Sequence, residues 1–261
     1  MLYRELAPVS KEAWAEIEGQ LKDVFVNYLS ARKVVKVNGP KGWNFNAITE
    51  GRLGDIQEDG DLCYANYNVI PLTEVRVEFE MDRWELDNIR RGAKDIDFSP
   101  LEEAAKKIAL FEENVIYNGS DKLHIKGIVK SSENETLEFG DSKEDILDAI
   151  AKGVITLKEN FEEGPFTLVV GEKAYRIILS KGVENSLKDE IEKIIGGKIV
   201  YSHVLEGAVL IPYNHDDLEL TIGQDLSIGY QNHDNNKVKF FITESFTFRV
   251  LDPGIIVNYR L

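Results

Sequence analysis

Residues 99–119, SPLEEAAKKIALFEENVIYNG, form the clearest element in the chain. Ser99, Pro100 and Glu102 read as a capping box with proline at the first helical position. Leu101, Ala104, Ala105, Ile108, Phe111 and Val115 then fall on one stripe at helical spacing, and Asn118-Gly119 ends the run. The pattern predicts one long amphipathic helix whose dry face needs cover from the rest of the chain. Glu112 and Glu113 read as part of its solvated face, because a di-iron carboxylate site would also need a Glu-x-x-His step that is absent.

Toward the N-terminus, Ser10 caps a second predicted helix with Trp14, Ile17, Leu21, Val24, Phe25 and Tyr28 on one face, ending near ARK (31–33). NGPKGWNF is turn-rich. From 47 to 80 the pattern is strand-like, with QEDGD as a hairpin tip, and Val75, Val77 and Phe79 alternate against Arg76, Glu78 and Glu80. Toward the C-terminus, a helix starts at Ser142 and carries Ile146, Leu147 and Ile150 to a stop at Gly153. TLVV (167–170) reads as a buried strand and LKDEIEKIIGG (187–197) as a short helix. The last third is a series of strands joined by polar turns. Helix and strand mix without regular alternation, which makes the class α+β. A two-stranded arm over 47–76 has no evident support within the chain.

Composition limits the function. The 261 residues are 43% hydrophobic and 10% aromatic, enough for a sizeable core. A net charge of −15, from 46 acids against 31 bases, opposes binding to nucleic acid or an anionic membrane. The single cysteine, Cys63, excludes an intrachain disulfide and reads as a small apolar filler. No apolar run of signal-peptide or membrane-spanning length occurs, so the expectation is a soluble cytoplasmic protein. The four histidines sit singly, and neither a P-loop nor GxGxxG is present. On residues alone, an assembly or binding protein is favoured over an enzyme.

Six strings then occur in one order: ELAPVSKEAWAEIE, ARKVVKVNGPKGW, MDRWELDNIRRG, EGPFTLVV, GQDLSIGY and FFITESFTFRV. Together they resemble the encapsulin family, prokaryotic shell proteins once grouped with linocin-like bacteriocins. The resemblance implies the tailed-phage major-capsid (Hong Kong 97-type) fold. Its peripheral domain would take residues 1–46, 77–135 and 218–261, its extended loop 47–76 and its axial domain 136–217. The implied activity is self-assembly into an icosahedral shell, the smallest (T=1) form being favoured, with about sixty copies closed by symmetry. The shell would enclose a ferritin-like iron-storage protein or a dye-decolorising peroxidase through a C-terminal targeting peptide. A flavin-binding shell with ferric reductase activity and a phage major capsid protein are the alternatives.

The resemblance also implies sites. Phe25, Leu29 and Arg32, with Asp225 and Ile228, match the family's cargo-peptide groove, although Phe25 and Leu29 read equally as core. Lys36 stands where many members carry an acid, which puts the peptide's charge preference in question. Gly182, Glu184 and Asn185 match the five-fold pore loop, or an ordinary helix connection. Trp84 matches a tryptophan that stacks on a flavin in part of the family, with Arg76 reaching the phosphate of FMN or another flavin. No cofactor is required, and packing of Trp84 against a neighbouring copy is the favoured reading.

Overall fold

The computed structural model describes residues 1–180 and 186–261. Two five-stranded sheets organise them. The first joins β1 (Lys36–Asn38), β11 (Leu218–Ile222), β13 (Lys237–Val250) and β12 (Ser227–His233), and β6 (Thr73–Asp82) also pairs with β13. Strand β13 is the keystone. It contributes Phe240, Ile242, Phe246 and Phe248 to the interior, and Thr243 and Glu244 between them are buried as well. A strand covered on both faces reads as a near-continuous run rather than an alternation.

Helices α1 (Lys11–Tyr28) and α3 (Ser99–Asn118) lie against this sheet. Ile17, Leu21 and Val24 of α1 meet Leu101, Ala104, Ala105 and Ile108 of α3 over Phe79, Phe240 and Ile242. Ser10 caps α1 as expected, its side chain accepting the N–H of Ala13 at 3.1 Å. The capping box of α3 does not form. Ser99 is already helical, and it is Asp97 Oδ1 that accepts the Ser99 N–H at 3.0 Å.

The second sheet runs β7 (Leu137–Glu138), β14 (Val257–Arg260), β10 (Ala208–Pro212), β8 (Phe166–Val170) and β9 (Ile199–Tyr201). Its apolar face is covered by α5 (Lys143–Glu159), α6 (Glu172–Ser180) and α7 (Leu187–Ile195), through Ile146, Ile150, Leu157, Ile178 and Ile191. Two shorter helices are α2 (Arg83–Arg91) and α4 (Ile128–Ser131). The expected stop at Gly153 is absent, since α5 continues to Glu159. A Cβ on Gly153 would lie 1.9 Å from the hydroxyl of Tyr259, so the glycine serves a close crossing with β14. Gly153→Ala is therefore expected to destabilise the fold by about 1–3 kcal/mol, read as a lower thermal midpoint with unchanged secondary structure.

The expected division of the chain needs two corrections. The arm spans 47–71, because residues from Thr73 onward pair with β13. The final strand, β14, leaves the first sheet and pairs with β10 and β7 in the second. The arm itself is two small ladders, β2 (Ala47–Leu53) with β5 (Tyr67–Pro71) and β3 (Gln57–Asp59) with β4 (Leu62–Tyr64). Leu53, Ile56, Leu62, Tyr64, Tyr67 and Val69 are each at least 50% exposed on it. Cys63 is exposed there too, so it fills no interior space in this chain. No helix among the described residues is long and apolar enough to cross a membrane.

Candidate functional site

One face of α1 carries Leu21, Phe25 and, just past the helix end, Leu29, each four residues from the last. Opposite them stand Asp225 to Ile228, at the start of β12, and Leu2 and Arg4 of the N-terminal segment. A cavity of about 480 Å³ lies between the two walls. All five residues assigned to a groove by resemblance, Phe25, Leu29, Arg32, Asp225 and Ile228, line it. Leu29 and Ile228 are at the same time buried in the core, while Phe25 is half-buried. Lys36 does not line the groove. It pairs with Asp216 at 3.1 Å, so the charge of the groove is set by other residues.

The polar end of the groove is built on α3. Glu112 and Glu113 are fully buried, which overturns their reading as a solvated face. Glu113 holds the turn that follows α1, accepting the Ala31 N–H at 2.7 Å and the Ser30 hydroxyl, which also meets the Tyr117 hydroxyl at 3.1 Å. That turn delivers Arg32 to three carboxyl groups. Its Nε donates to Glu112 at 2.8 Å, one terminal nitrogen to Glu112 and to Glu244 (3.0 Å), and the other to Asp225 at 2.7 Å. Glu244 comes from the middle of β13 and is fully buried.

A single guanidinium thus faces three carboxyl groups, with a fourth beside them, and three of the four are buried. Protons must make up the difference. Burial pushes Glu113 up to about 7, against the hydrogen bonds from Ser30 and Ala31 and with the charge of Glu112. Burial, followed by the Glu112 charge, drives Glu244 well above the carboxylate range. Burial pulls the other way on Arg32, but Glu112, Glu244 and Asp225 outweigh it and hold its proton more firmly.

A raised folded-state pKa gives stability at low pH that is lost as pH rises. For Glu113 the loss runs from the ordinary value of 4.5 to about 7 and amounts to on the order of 3 kcal/mol. Glu113→Gln is expected to flatten this part of the curve of thermal midpoint against pH. An unchanged slope would show that Glu113 titrates normally.

Trp84 sits in the first turn of α2, 64% exposed, with the Arg91 guanidinium 5.4 Å from its ring centre. Asp82 caps that helix by accepting the N–H groups of Trp84 and Glu85. Arg76 is occupied elsewhere, lying 4.2 Å over the Phe241 ring and pairing with Glu74 at 3.4 Å. At the rise of an extended strand its Cα is roughly 20 Å from that of Asp82. Within one chain the structure does not bring Arg76 into contact with Trp84. The pore candidates Gly182, Glu184 and Asn185 lie outside the described residues. Three of the four histidines have local side-chain partners: His203 stacks on Tyr28 at 4.4 Å, His215 lies 3.3 Å from Glu162, and His233 Nδ1 meets the Tyr230 hydroxyl at 2.5 Å.

Solved structures that share this architecture include a virus-like particle and phage capsids. The virus-like particle of Pyrococcus furiosus superposes with a TM-score of 0.69 at 19% identity, over 93% of this chain and 97% of that one. The capsid of Myoviridae phage XM1 gives 0.58 at 13% identity, over 88% and 90%. The fold is the tailed-phage major-capsid, Hong Kong 97-type fold. Sequence narrows the class. Residues 1–247 match the Linocin_M18 family, described as an encapsulating protein for peroxidase. The type 1 encapsulin shell protein of Brevibacterium linens is 34% identical over 254 residues, 96% of this chain and 95% of that one. That of Mycobacterium tuberculosis is 32% identical over 249 residues, 95% and 94%. The chain belongs to the encapsulin family.

Proposed function

We propose that the chain is a shell subunit whose copies close into a hollow icosahedral compartment in the cytoplasm, with the groove on α1 receiving the C-terminal targeting peptide of an enclosed enzyme. The arm carries this reading. It presents six large apolar side chains that none of the described residues covers, and a family of shell proteins supplies the reason: a neighbouring copy rests there. Each copy meets several others, so contacts that are weak singly add up to a stable particle. The smallest closed form, with about sixty copies, fits a chain with one short arm.

The enclosed protein supplies the chemistry in this reading. A peroxidase is favoured by the description of the matched family, with a ferritin-like iron-storage protein as the other class. The exposed ring of Trp84 stands at a junction between copies, covered by a neighbour's loop or by a flavin that the neighbour helps to hold. Negative-stain microscopy of the purified chain is expected to show hollow particles of one size. A well-folded preparation that elutes as a monomer in size-exclusion chromatography would overturn the proposal.

A further inference from the structure

From its position in the fold and the charges around it, we infer that the groove on α1 selects a short extended apolar segment that carries a carboxylate, which Lys22 and Lys33 receive. This rests on the reading of the groove as a peptide site and specifies the partner's chemistry.

The length follows from the helix. Between Glu18 and Leu29 the groove follows α1 for about 16 Å at 1.5 Å per residue. An extended segment of about five residues spans that distance. The backbone of the opposite wall suits an extended guest. Amides on an antiparallel strand turn alternately toward and away from the partner. Tyr230, opposite Phe240 on β13, turns its N–H outward to the Leu2 carbonyl at 2.8 Å. Ile228, two residues earlier and opposite Ile242, has the same parity, so its N–H and carbonyl face the groove. A guest strand would continue the bridge that Leu2 begins. Phe25, Leu29, Leu226 and Ile228 supply apolar contact along it.

The charge preference follows from which lining groups already have partners. Four cationic side chains line the groove against two acidic ones, in a chain whose net charge is −15. Arg32 is consumed by Glu112, Glu244 and Asp225, and Arg4 pairs with Glu18 at 2.6 Å. Lys22 and Lys33 remain. Among the described residues neither has a carboxylate partner, and the Lys33 ammonium donates to the Val26 carbonyl at 2.7 Å. Both are exposed at the mouth of the groove, with the exposed Val26 between them in sequence. The apolar stretch has its own surface to bury on, and among the described residues neither ammonium group has a carboxylate to pair with.

The test is co-expression of the full chain with a fluorescent protein bearing a flexible linker and a tail of five apolar residues. The tail is followed by two aspartates, two serines or two lysines and then a neutral extension. A fourth version ends at the last apolar residue, so that the terminal carboxylate is the only anion there. The readout is the ratio of reporter to shell in purified particles.

The aspartate tail is expected to load about fivefold more than the serine tail, and the lysine tail least, which is the effect of two partly exposed ion pairs. If the fourth version matches the aspartate tail, the carboxylate is a chain end; if it matches the serine tail, it is a side chain. The K22E/K33E shell is expected to reverse the order of aspartate and lysine tails, and the milder K22S/K33S shell to abolish it. Uptake blind to tail charge, or best with lysine, would overturn the inference and leave the groove standing. Particles that form but take up none of the four tails would sink both.

Discussion

Replacing Arg32 by leucine is expected to cost about 3–5 kcal/mol of subunit stability at neutral pH, the largest effect of any single substitution considered. The reason is what the change leaves behind. Glu112 and Glu244 are fully buried, and Arg32 is the cation that both contact. Without it, each carboxyl must either remain charged away from water or take up a proton. Two further variants separate this from loss of packing. Arg32→Leu combined with Glu112→Gln and Glu244→Gln removes the stranded charges and should recover most of the loss, since apolar or neutral replacement of a whole buried ion cluster is often close to neutral. Arg32→Leu alone should also recover as pH is lowered, because a buried carboxyl that has lost its cation is more stable in the neutral form. Chemical denaturation of the three proteins at two pH values gives the answer. If the triple variant is no more stable than the single one, the cost lies in packing and the cluster is not the cause.

The second large effect is on assembly. Leu62→Ser, Tyr64→Ser and Tyr67→Ser together are expected to leave a folded subunit that forms no particles at concentrations where the parent is fully assembled. Full burial of such a side chain contributes about 1.5–3 kcal/mol, and the loss recurs in every copy around the shell. The subunit itself should keep its circular dichroism and thermal midpoint, because none of these three side chains is part of a core. Particles of normal size and abundance would show that the arm is not what holds neighbours together.

Much of the fold could be read in the sequence, and the failures have physical causes. Helices α1 and α3 and the C-terminal strands were legible because each has a one-sided or continuous apolar pattern. Helix α2 was not. Its nine residues are mostly charged and only Leu86 is buried, so no stripe marks it. Gly153 misled because a glycine required by a close crossing looks the same as one that ends a helix.

The site was less legible. Phe25, Leu29, Arg32, Asp225 and Ile228 came from the resemblance alone, since residues two hundred positions apart leave no local trace of their meeting. Glu112 and Glu113 were misread because adjacent acids on a helix are nearly always solvated. A signal did exist in Glu244, a lone acid inside the apolar run FFITESFTF, which required a cation nearby. Lys22 and Lys33 carry no signal at all until the structure shows which of their neighbours are already paired.

Strand β13 links features that seem unrelated. On it, Thr243 faces Arg76 and Glu244 faces Val75 of β6, the strand from which the arm springs. The side chain of Glu244 grips Arg32 in the wall of the groove. In the proposed shell, an adjoining copy seated on the arm would bear on the same strand that carries this grip, and would thus couple the seating of a neighbour to the shape of the pocket.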